Sequence, residues 1–446
     1  MSLHDNAHSA RSRVAFYTLG CKVNQHETEL MRAQFEQSGY TAVPWHEEAD
    51  VYVINTCTVT SVSDKKSRQA ITRAHHTNPH AAIVAVGCYV QRAADEIQKL
   101  PGVKLVVGTR MRNSIIPLLQ EKNGVRSVVE DISHNYQYER LDCEEQAYMT
   151  YTRMRVQLKI QDGCDRYCSY CVIPYARGPA RSRPIESIVQ ALRLLGEQRA
   201  QEVVLTGIHL MSYGKEDKAL PKLQEVTRLA AGMGGIGRIR LGSLDPALVD
   251  DAFVDGLDAI APGKLCRHFH LSLQSGSDAV LKRMNRRYTA DAYERAAARL
   301  RARFPGCALT TDVIAGFPGE TEADHKGTLA YMERLRFSRT HVFPYSGREG
   351  TAAYAMPDQV GKSVRAGRAK ELIALGEKLE LDYVKGQIGQ TLTVLPEARR
   401  EPGRDESCEG YADNYVRVKY EGYDGTLTKV RIEGREGTVL LGKTED

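Results

Sequence analysis

The sequence predicts an α/β chain in three parts: an open parallel sheet over residues 1–142, a partial (β/α)6 barrel over 147–375, and a small all-β, OB-like barrel over 382–446. Three observations lead there. Near the N-terminus, three apolar runs each end at a cysteine and give way to a polar, helix-competent stretch, the pattern of buried parallel strands with helical crossovers. From about residue 147, six strand candidates alternate with helical patterns, which implies a parallel sheet with helices outside. After Pro357 a charged, helical stretch runs to about Leu381, and short strands separated by turns follow.

In the first part the runs are Val14 to Cys21, Val51 to Cys57 and Ala82 to Cys88. Parallel strands joined by right-handed crossovers bring their carboxyl ends to one sheet edge, where open α/β folds place ligands. Cys21, Cys57 and Cys88 are therefore expected to converge, as metal-centre ligands or as small core residues, which free cysteines often are. A disulfide framework is disfavoured, because the chain is long, has no secretory signal, and its cysteines are not paired by spacing.

In the second part the strand candidates are Val156–Ile160, Glu202–Thr206, Arg238–Gly242, His268–Ser272, Ala308–Ile314 and Thr340–Phe343. Just past the first comes Gln161-Asp-Gly-Cys164-Asp-Arg-Tyr-Cys168-Ser-Tyr-Cys171, a C-x3-C-x2-C run offering only three thiolates. A cube of four irons needs one ligand per iron, so three cysteines leave one iron open to a small molecule. Structural zinc is closed by four protein ligands, and no fourth ligand stands within a few residues of Cys171.

Polar or glycine-containing signals follow four other strands: Thr206-Gly207-Ile208-His209, Ser243-Leu-Asp245-Pro246, Gln274-Ser-Gly276-Ser277 and Gly316-Phe-Pro-Gly319-Glu320. Alone, each is an ordinary turn; in this order, at the ends of barrel strands, they mark a site. Alternation also places Cys266, His268 and His270 on one strand face. Histidines that satisfy hydrogen bonds or line a pocket are the preferred reading over a zinc trio. Cys143, Cys307 and Cys408 read as incidental. In the third part, the strand candidates are Gln390–Leu395, Tyr415–Tyr420, Leu427–Ile432 and Thr438–Leu441.

The Cys164/Cys168/Cys171 run resembles the radical S-adenosylmethionine (SAM) superfamily, and nearly the whole chain resembles its methylthiotransferases. Gly20-Cys21-Lys22-Val23-Asn24-Gln25 is similar to the opening motif of bacterial enzymes acting on threonylcarbamoyladenosine, just 3′ of the transfer-RNA anticodon. Family members acting on isopentenyladenosine, or on an aspartate of a ribosomal protein, usually differ after this cysteine.

The resemblance implies two 4Fe–4S clusters, one on Cys164, Cys168 and Cys171 and one on Cys21, Cys57 and Cys88. It puts Tyr170 beside the adenine of SAM, Thr206 and Gly207 near its methionine amino group, Gln274 on the ribose side, and Ile314 with Gly316 at the adenine. Arg240 and Asp245 match family positions without an assigned role. A first SAM would methylate sulfur on the second cluster, and a second would give the 5′-deoxyadenosyl radical that removes hydrogen between the adenine's two pyrimidine nitrogens. The implied partners are a tRNA anticodon stem-loop, a low-potential electron donor such as flavodoxin or ferredoxin, and a sulfur donor. The C-terminal barrel resembles the RNA-binding TRAM domain, with Tyr411, Tyr415, Arg417 and Lys419 as a stacking and charge surface or, alternatively, as core tyrosines and solubilising charges.

Composition is compatible with this. A chain of 446 residues with 42% hydrophobic content suits two or three soluble domains. No apolar run approaches the roughly 20 residues that span a bilayer, and Met1 to Arg13 is too polar for a signal peptide. A cytoplasmic location, without membrane association, is expected for so many thiolates. Net charge of +5 is modest, but basic residues cluster at Lys65, Lys66, Arg68 and Arg73, at Arg177, Arg181 and Arg183, and at Arg283, Arg286 and Arg287. Solvated helix faces explain any one cluster; Arg177 to Arg183, directly after the cysteine loop, is the favoured phosphate contact. The rival of another class is a non-catalytic iron–sulfur or zinc RNA-binding protein, which metal content separates from two cubes holding about eight irons.

Overall fold

A computed structural model describes residues 12–121, 124–151, 154–397, 407–422 and 425–445. Most of the Met1–Arg13 stretch read for a leader lies outside them. The chain divides into two compact units, Met1–Ala147 with Val172–Pro179, and Tyr148–Cys171 with Ala180–Asp446.

The first unit is built on β1 (Arg13–Thr18), α1 (Lys22–Gln37), β2 (Thr41–Val43), β3 (Val51–Thr56), α2 (Ser61–Thr77), β4 (Ala82–Gly87), α3 (Cys88–Ile97), β5 (Val103–Val107) and β6 (Arg126–Val128). Its six strands form one parallel sheet in the order β2-β1-β3-β4-β5-β6. Alternate residues feed two cores. Val14, Phe16, Val51, Val53, Val84 and Val86 pack on one face with Leu30, Met31 and Phe35 of α1. Ala15, Tyr52, Ile54, Ile83 and Ala85 pack on the other with Ala70, Ile71 and Ala74 of α2 and Tyr89 and Val90 of α3. Each large side chain buried this way contributes about 1.5–3 kcal/mol. Thr60 caps α2, its Oγ1 accepting from Ser63 N at 3.1 Å, with Asp64 in the first turn, a charge that suits the helix dipole.

The second unit continues with β7 (Arg155–Lys159), β8 (Gln161–Asp162), β9 (Arg181–Ser182), β10 (Glu202–Thr206), β11 (Arg238–Leu241), β12 (Ser243–Leu244), β13 (His268–Leu271), β14 (Ala308–Ala315) and β15 (Arg339–Pro344). The parallel orders β7-β10-β11 and β12-β13-β14-β15 are joined by a parallel bridge between Ile239 and Leu265. All six predicted strands are therefore present in one open barrel wall. Its apolar core runs from Val156 and Leu158 to Val313 and Ala315, closed by helices such as Ile185–Glu197 and Ala290–Arg303.

Helix Lys362–Lys385 leads into β16 (Thr391–Pro396), β17 (Ser407–Ala412), β18 (Arg417–Glu421), β19 (Thr428–Glu436) and β20 (Val439–Thr444). These close as β16-β17-β18-β20-β19, antiparallel except for β18 against β20. The sequence predicts four of the five. In β17 the inward positions are Cys408, Gly410 and Ala412, too small to give an apolar alternation. A Cβ on Gly410 would stand 2.2 Å from the Leu395 carbonyl oxygen, so the barrel closes only over a residue without a side chain. Among the described residues no helix is long and apolar enough to cross a membrane.

Candidate active site

In the first unit, Cys21 stands at the N-cap of α1, Cys57 directly follows β3, and Cys88 opens α3, so all three lie at the carboxyl edge of the sheet. Gly20 has φ +99°, and a Cβ there would lie 2.9 Å from both Cβ and Sγ of Cys57. Gly87 has φ +98°, with a Cβ only 2.5 Å from Asn55 Oδ1. Both positions need glycine, for conformation and for space. Asn24 joins the strand ends, its Nδ2 donating to the carbonyls of Leu19 at 2.8 Å and Thr56 at 3.1 Å.

Beneath the cysteines lies a buried ion network. Arg177 Nη2 donates to Asn24 Oδ1 at 2.7 Å, and its Nε lies 3.2 Å from Cys88 Sγ. Arg112 Nη2 reaches Glu27 Oε2 at 3.0 Å, and its Nη1 reaches Glu139 at 3.0 Å. Burial pushes the Cys57 thiol up and the Cys88 thiol to about 12, with Arg177 opposing it. Such desolvated thiols ionise when a metal replaces the proton. Among the described residues no three Cys, His, Asp or Glu side chains converge on a point that one metal ion could occupy. In an iron–sulfur cube each iron takes its own cysteine, so three thiols along one edge need not meet at a single point.

In the second unit, Cys164, Cys168 and Cys171 follow β8. Cys171 N donates to Cys168 O at 2.8 Å, a tight turn that sets the last two thiols. The loop is pinned from outside: Ser169 N and Oγ donate to the carbonyls of Met284 and Arg283 at 3.0 and 2.7 Å, and Asn285 Nδ2 donates to Tyr167 O at 2.9 Å. Tyr167 (φ 47°), Gln274 (φ 69°) and Asn285 (φ 57°) are all left-handed, each costing about 1–3 kcal/mol. Such strain persists where surrounding contacts over-determine the backbone. Arg286 Nη1 lies 3.3 Å from Cys168 Sγ and its Nε donates to Tyr288 OH at 3.0 Å.

The other candidate residues gather at the same strand ends. Thr206 closes β10, and at Gly207 a Cβ would meet Gln161 Oε1 at 2.8 Å. Gln161 ties the loops together, its Nε2 donating to Gly163 O at 2.9 Å and its Oε1 accepting from His209 N at 2.8 Å. Gln274 N donates to Asp312 O at 2.8 Å and its carbonyl accepts from Ile314 N at 2.9 Å. Tyr170 and Ile314 pack on the same apolar cluster as Phe317 and Tyr345, with the Tyr170 and Phe317 rings edge to face at 6.4 Å. Gly316 N donates to Glu320 Oε1 at 3.0 Å.

Two model matches span both units: an uncharacterized protein family, UPF0004, over residues 13–108, and the radical SAM superfamily over residues 158–332. A threonylcarbamoyladenosine tRNA methylthiotransferase MtaB of Bacillus subtilis strain 168 is 40% identical over 412 residues, 92% of this chain and 90% of its own. This chain belongs to the radical SAM methylthiotransferases. The MtaB of Aquifex aeolicus strain VF5 is 37% identical to this methylthiotransferase over 92% of it and 97% of the relative. A tRNA-2-methylthio-N(6)-dimethylallyladenosine synthase of Syntrophotalea carbinolica is 33% identical, covering 88% and 90%. The radical SAM methyltransferase TsrM of Kitasatospora setae superposes with a TM-score of 0.53 at 16% identity over 77% of each chain, a likeness of fold. The methylthiotransferase is thus a radical SAM enzyme of tRNA modification, which uses SAM and a 4Fe–4S cluster.

One sequence expectation for the methylthiotransferase is corrected, and two pairs of open readings are decided. Arg177, Arg181 and Arg183 are no phosphate surface, for all three are at most 1% exposed. Arg181 pairs with Asp162 at 3.2 Å, and Arg183 donates to Ser187 Oγ at 3.0 Å. A charge run reads alike in sequence whether its partners are water or buried carboxylates. Tyr411 and Tyr415 stack on each other at 5.0 Å beneath Arg155 and Arg240, so they belong to the joint between barrel and sheet. Arg417 and Lys419 do remain exposed. His268 and His270 both reach Thr310 Oγ1, at 3.1 and 3.0 Å, and Cys266 Sγ lies 3.7 Å from Glu202 Oε2.

The sequence leaves Asp245 and Arg240 without roles and offers Arg286 only as part of a basic cluster, not as a neighbour of Cys168. Asp245 Oδ2 lies 3.0 Å from both His209 Nε2 and Arg166 Nη2. Burial alone would raise its pKa, but His209, Arg286 and Arg166 hold it well below the carboxylate range. The available signal was position: Arg166 lies inside the cysteine run, and His209 and Asp245 lie in two of the strand-end loops.

Proposed function

We propose that this methylthiotransferase converts threonylcarbamoyladenosine next to the tRNA anticodon into its 2-methylthio derivative. The observation that carries this reading is the 40% identity, over 92% of the chain, with a relative named for that substrate; relatives named for dimethylallyladenosine stand at 33%. Both cysteine trios are present for the chemistry.

Cys164, Cys168 and Cys171 would hold the cluster that binds SAM, and Cys21, Cys57 and Cys88 a second 4Fe–4S cluster. When bound, these groups supply hydrogen abstraction from an unactivated carbon and the sulfur to be transferred, which acid–base side chains cannot supply. The protein's own residues prepare the sites. Arg286 and Arg177 set positive charge beside Cys168 and Cys88, at 3.3 and 3.2 Å from their sulfurs. Tyr170, Ile314 and Phe317 make an apolar wall suited to an adenine face, with Gly316 beside it, while Thr206 and Gly207 stand at a strand end for the methionine amino group and Gln274 on the ribose side. Lys65, Lys66 and Arg73, exposed on α2 just beyond Cys57, take over as the candidate phosphate contacts on the anticodon stem-loop. A low-potential flavodoxin or ferredoxin would deliver electrons, and a separate donor the sulfur.

The test is an anaerobic incubation of the iron–sulfur-reconstituted protein with tRNA, SAM and reductant, followed by nucleoside mass spectrometry. Methylthio on threonylcarbamoyladenosine is expected. Methylthio on dimethylallyladenosine alone would overturn the substrate, and SAM cleavage with no RNA product would turn the search to ribosomal protein.

A further inference from the structure

A cavity of about 230 Å³ opens in the second unit, lined by Asp165, Arg166, Ser212, Lys215, Glu216 and Arg287 among others. It adjoins the cysteine loop, since Arg166 lies between Cys164 and Cys168, and Arg287 follows the arginine that contacts Cys168. The cavity is smaller than the roughly 300–1,000 Å³ sites that enclose whole drug-sized ligands; it suits a short polar arm of a larger substrate.

Its charges are unevenly committed. Asp165 Oδ2 accepts from Ala180 N at 3.1 Å, and Glu216 accepts from Ser182 N, so both acids are held by backbone. Arg166 is paired with Asp245. The side chains of Lys215 and Arg287 have no hydrogen-bond or ion-pair partner among the described residues. Burial, and then the neighbouring charge of Arg166, push the Lys215 ammonium down from its ordinary pKa against the opposing pull of Asp245.

The two groups of relatives act on adenosines whose N6 substituents differ in charge. Threonylcarbamoyl ends in a free carboxylate, whereas dimethylallyl is a neutral hydrocarbon. Resting on the reading above, we infer that Lys215 and Arg287, backed by Arg166, bind the threonyl carboxylate and thereby select this substrate. An RNA backbone phosphate would offer similar chemistry, and the test separates the two.

The experiment compares kcat/KM on anticodon stem-loops carrying threonylcarbamoyladenosine or its threonine methyl ester, for wild type, K215Q/R287Q and the charge-keeping K215R/R287K. Charge-assisted contacts are worth enough that the acid-over-ester ratio should fall about tenfold or more in K215Q/R287Q. K215R/R287K should keep most of the wild-type ratio. An equal loss on both substrates would make these residues phosphate contacts and overturn the assignment. So would loss of SAM cleavage without RNA, which would give the cavity to SAM's own carboxylate. A wild type that modifies only dimethylallyladenosine RNA overturns the proposed function itself. A wild type active on the acid, with K215Q/R287Q unchanged in ratio, overturns this inference alone.

Discussion

Arg177 lays its two terminal nitrogens against Glu27, Nη1 to Oε1 and Nη2 to Oε2, both at 2.9 Å. The two residues are 150 positions apart, and neither side chain is more than 1% exposed. A paired guanidinium of this kind fixes direction as well as charge, so the same contact that buries Glu27 aims Nε at Cys88.

Removing one member of a buried charge network costs up to about 3–5 kcal/mol, and without Arg177 the Glu27 carboxylate is left to Arg112, at 3.0 Å. Arg177→Gln should therefore lower the denaturation free energy by that order, and reconstituted protein should lose iron from the Cys21/Cys57/Cys88 side. A stability change below about 1 kcal/mol, the level of exposed pairs, would contradict the buried network.

At Gly20, alanine meets both an unfavourable φ and the Cys57 side chain. The conformational part alone is about 1–3 kcal/mol. Iron per chain in Gly20→Ala is expected to drop from about eight towards four, as one cube is lost. Full iron content in this variant would show that Cys57 is not where the second cluster binds.

The two cysteine sets should fail separately. With Cys21, Cys57 and Cys88 all changed to alanine, methylthiolation should vanish while some 5′-deoxyadenosine still forms under reduction. With Cys164, Cys168 and Cys171 changed, both should stop. A first-set variant that folds, keeps four irons and yet forms no 5′-deoxyadenosine rules out this division of labour.

Glu202 collects Arg155 at 2.9 Å, Arg238 at 2.7 Å and Arg240 at 2.8 Å. Those arginines go on to the barrel, Arg238 Nη1 donating to Thr393 O at 2.7 Å and Arg240 Nη1 to Asp413 O at 3.0 Å. Burial opposes ionisation of Glu202, but Arg240 first and then Arg238 and Arg155 hold its pKa well below the usual value. A folded pKa below the unfolded value of about 4.3 gives stability that is complete above that pH and lost as pH falls through the folded value. The stability difference between wild type and Glu202→Gln should stay level from pH 8 to 5 and shrink below about pH 4. Denaturant melts across that range would reveal a level difference down to pH 2 if the network were unimportant.

What could be read from the sequence was what depends on local pattern. Val14–Cys21, Val51–Cys57 and Ala82–Cys88 each carry their strand and cysteine in eight residues or fewer, with the helix close behind, and all three cysteines come to one edge. The six barrel strands were legible for the same reason. β17 was not, because closure there depends on Gly410 fitting under Leu395 rather than on hydrophobicity. The fate of Arg177 was hidden too, since its partner Glu27 lies on another element and the only local hint was Asn24 and Glu27 three apart on one helix face. Arg240 matches a family position without an assigned role, and its partners prove to be Glu202 and barrel carbonyls.

The eight residues Val172–Pro179 belong to the first unit although the chain on both sides of them belongs to the second. No single cut in the gene can therefore release the N-terminal unit intact: a fragment ending at Ala147 lacks Arg177 and leaves the carboxylate of Glu27 to Arg112. The two halves can only be inherited, exchanged or engineered as one piece, and a functional split must be made by insertion and graft rather than by truncation.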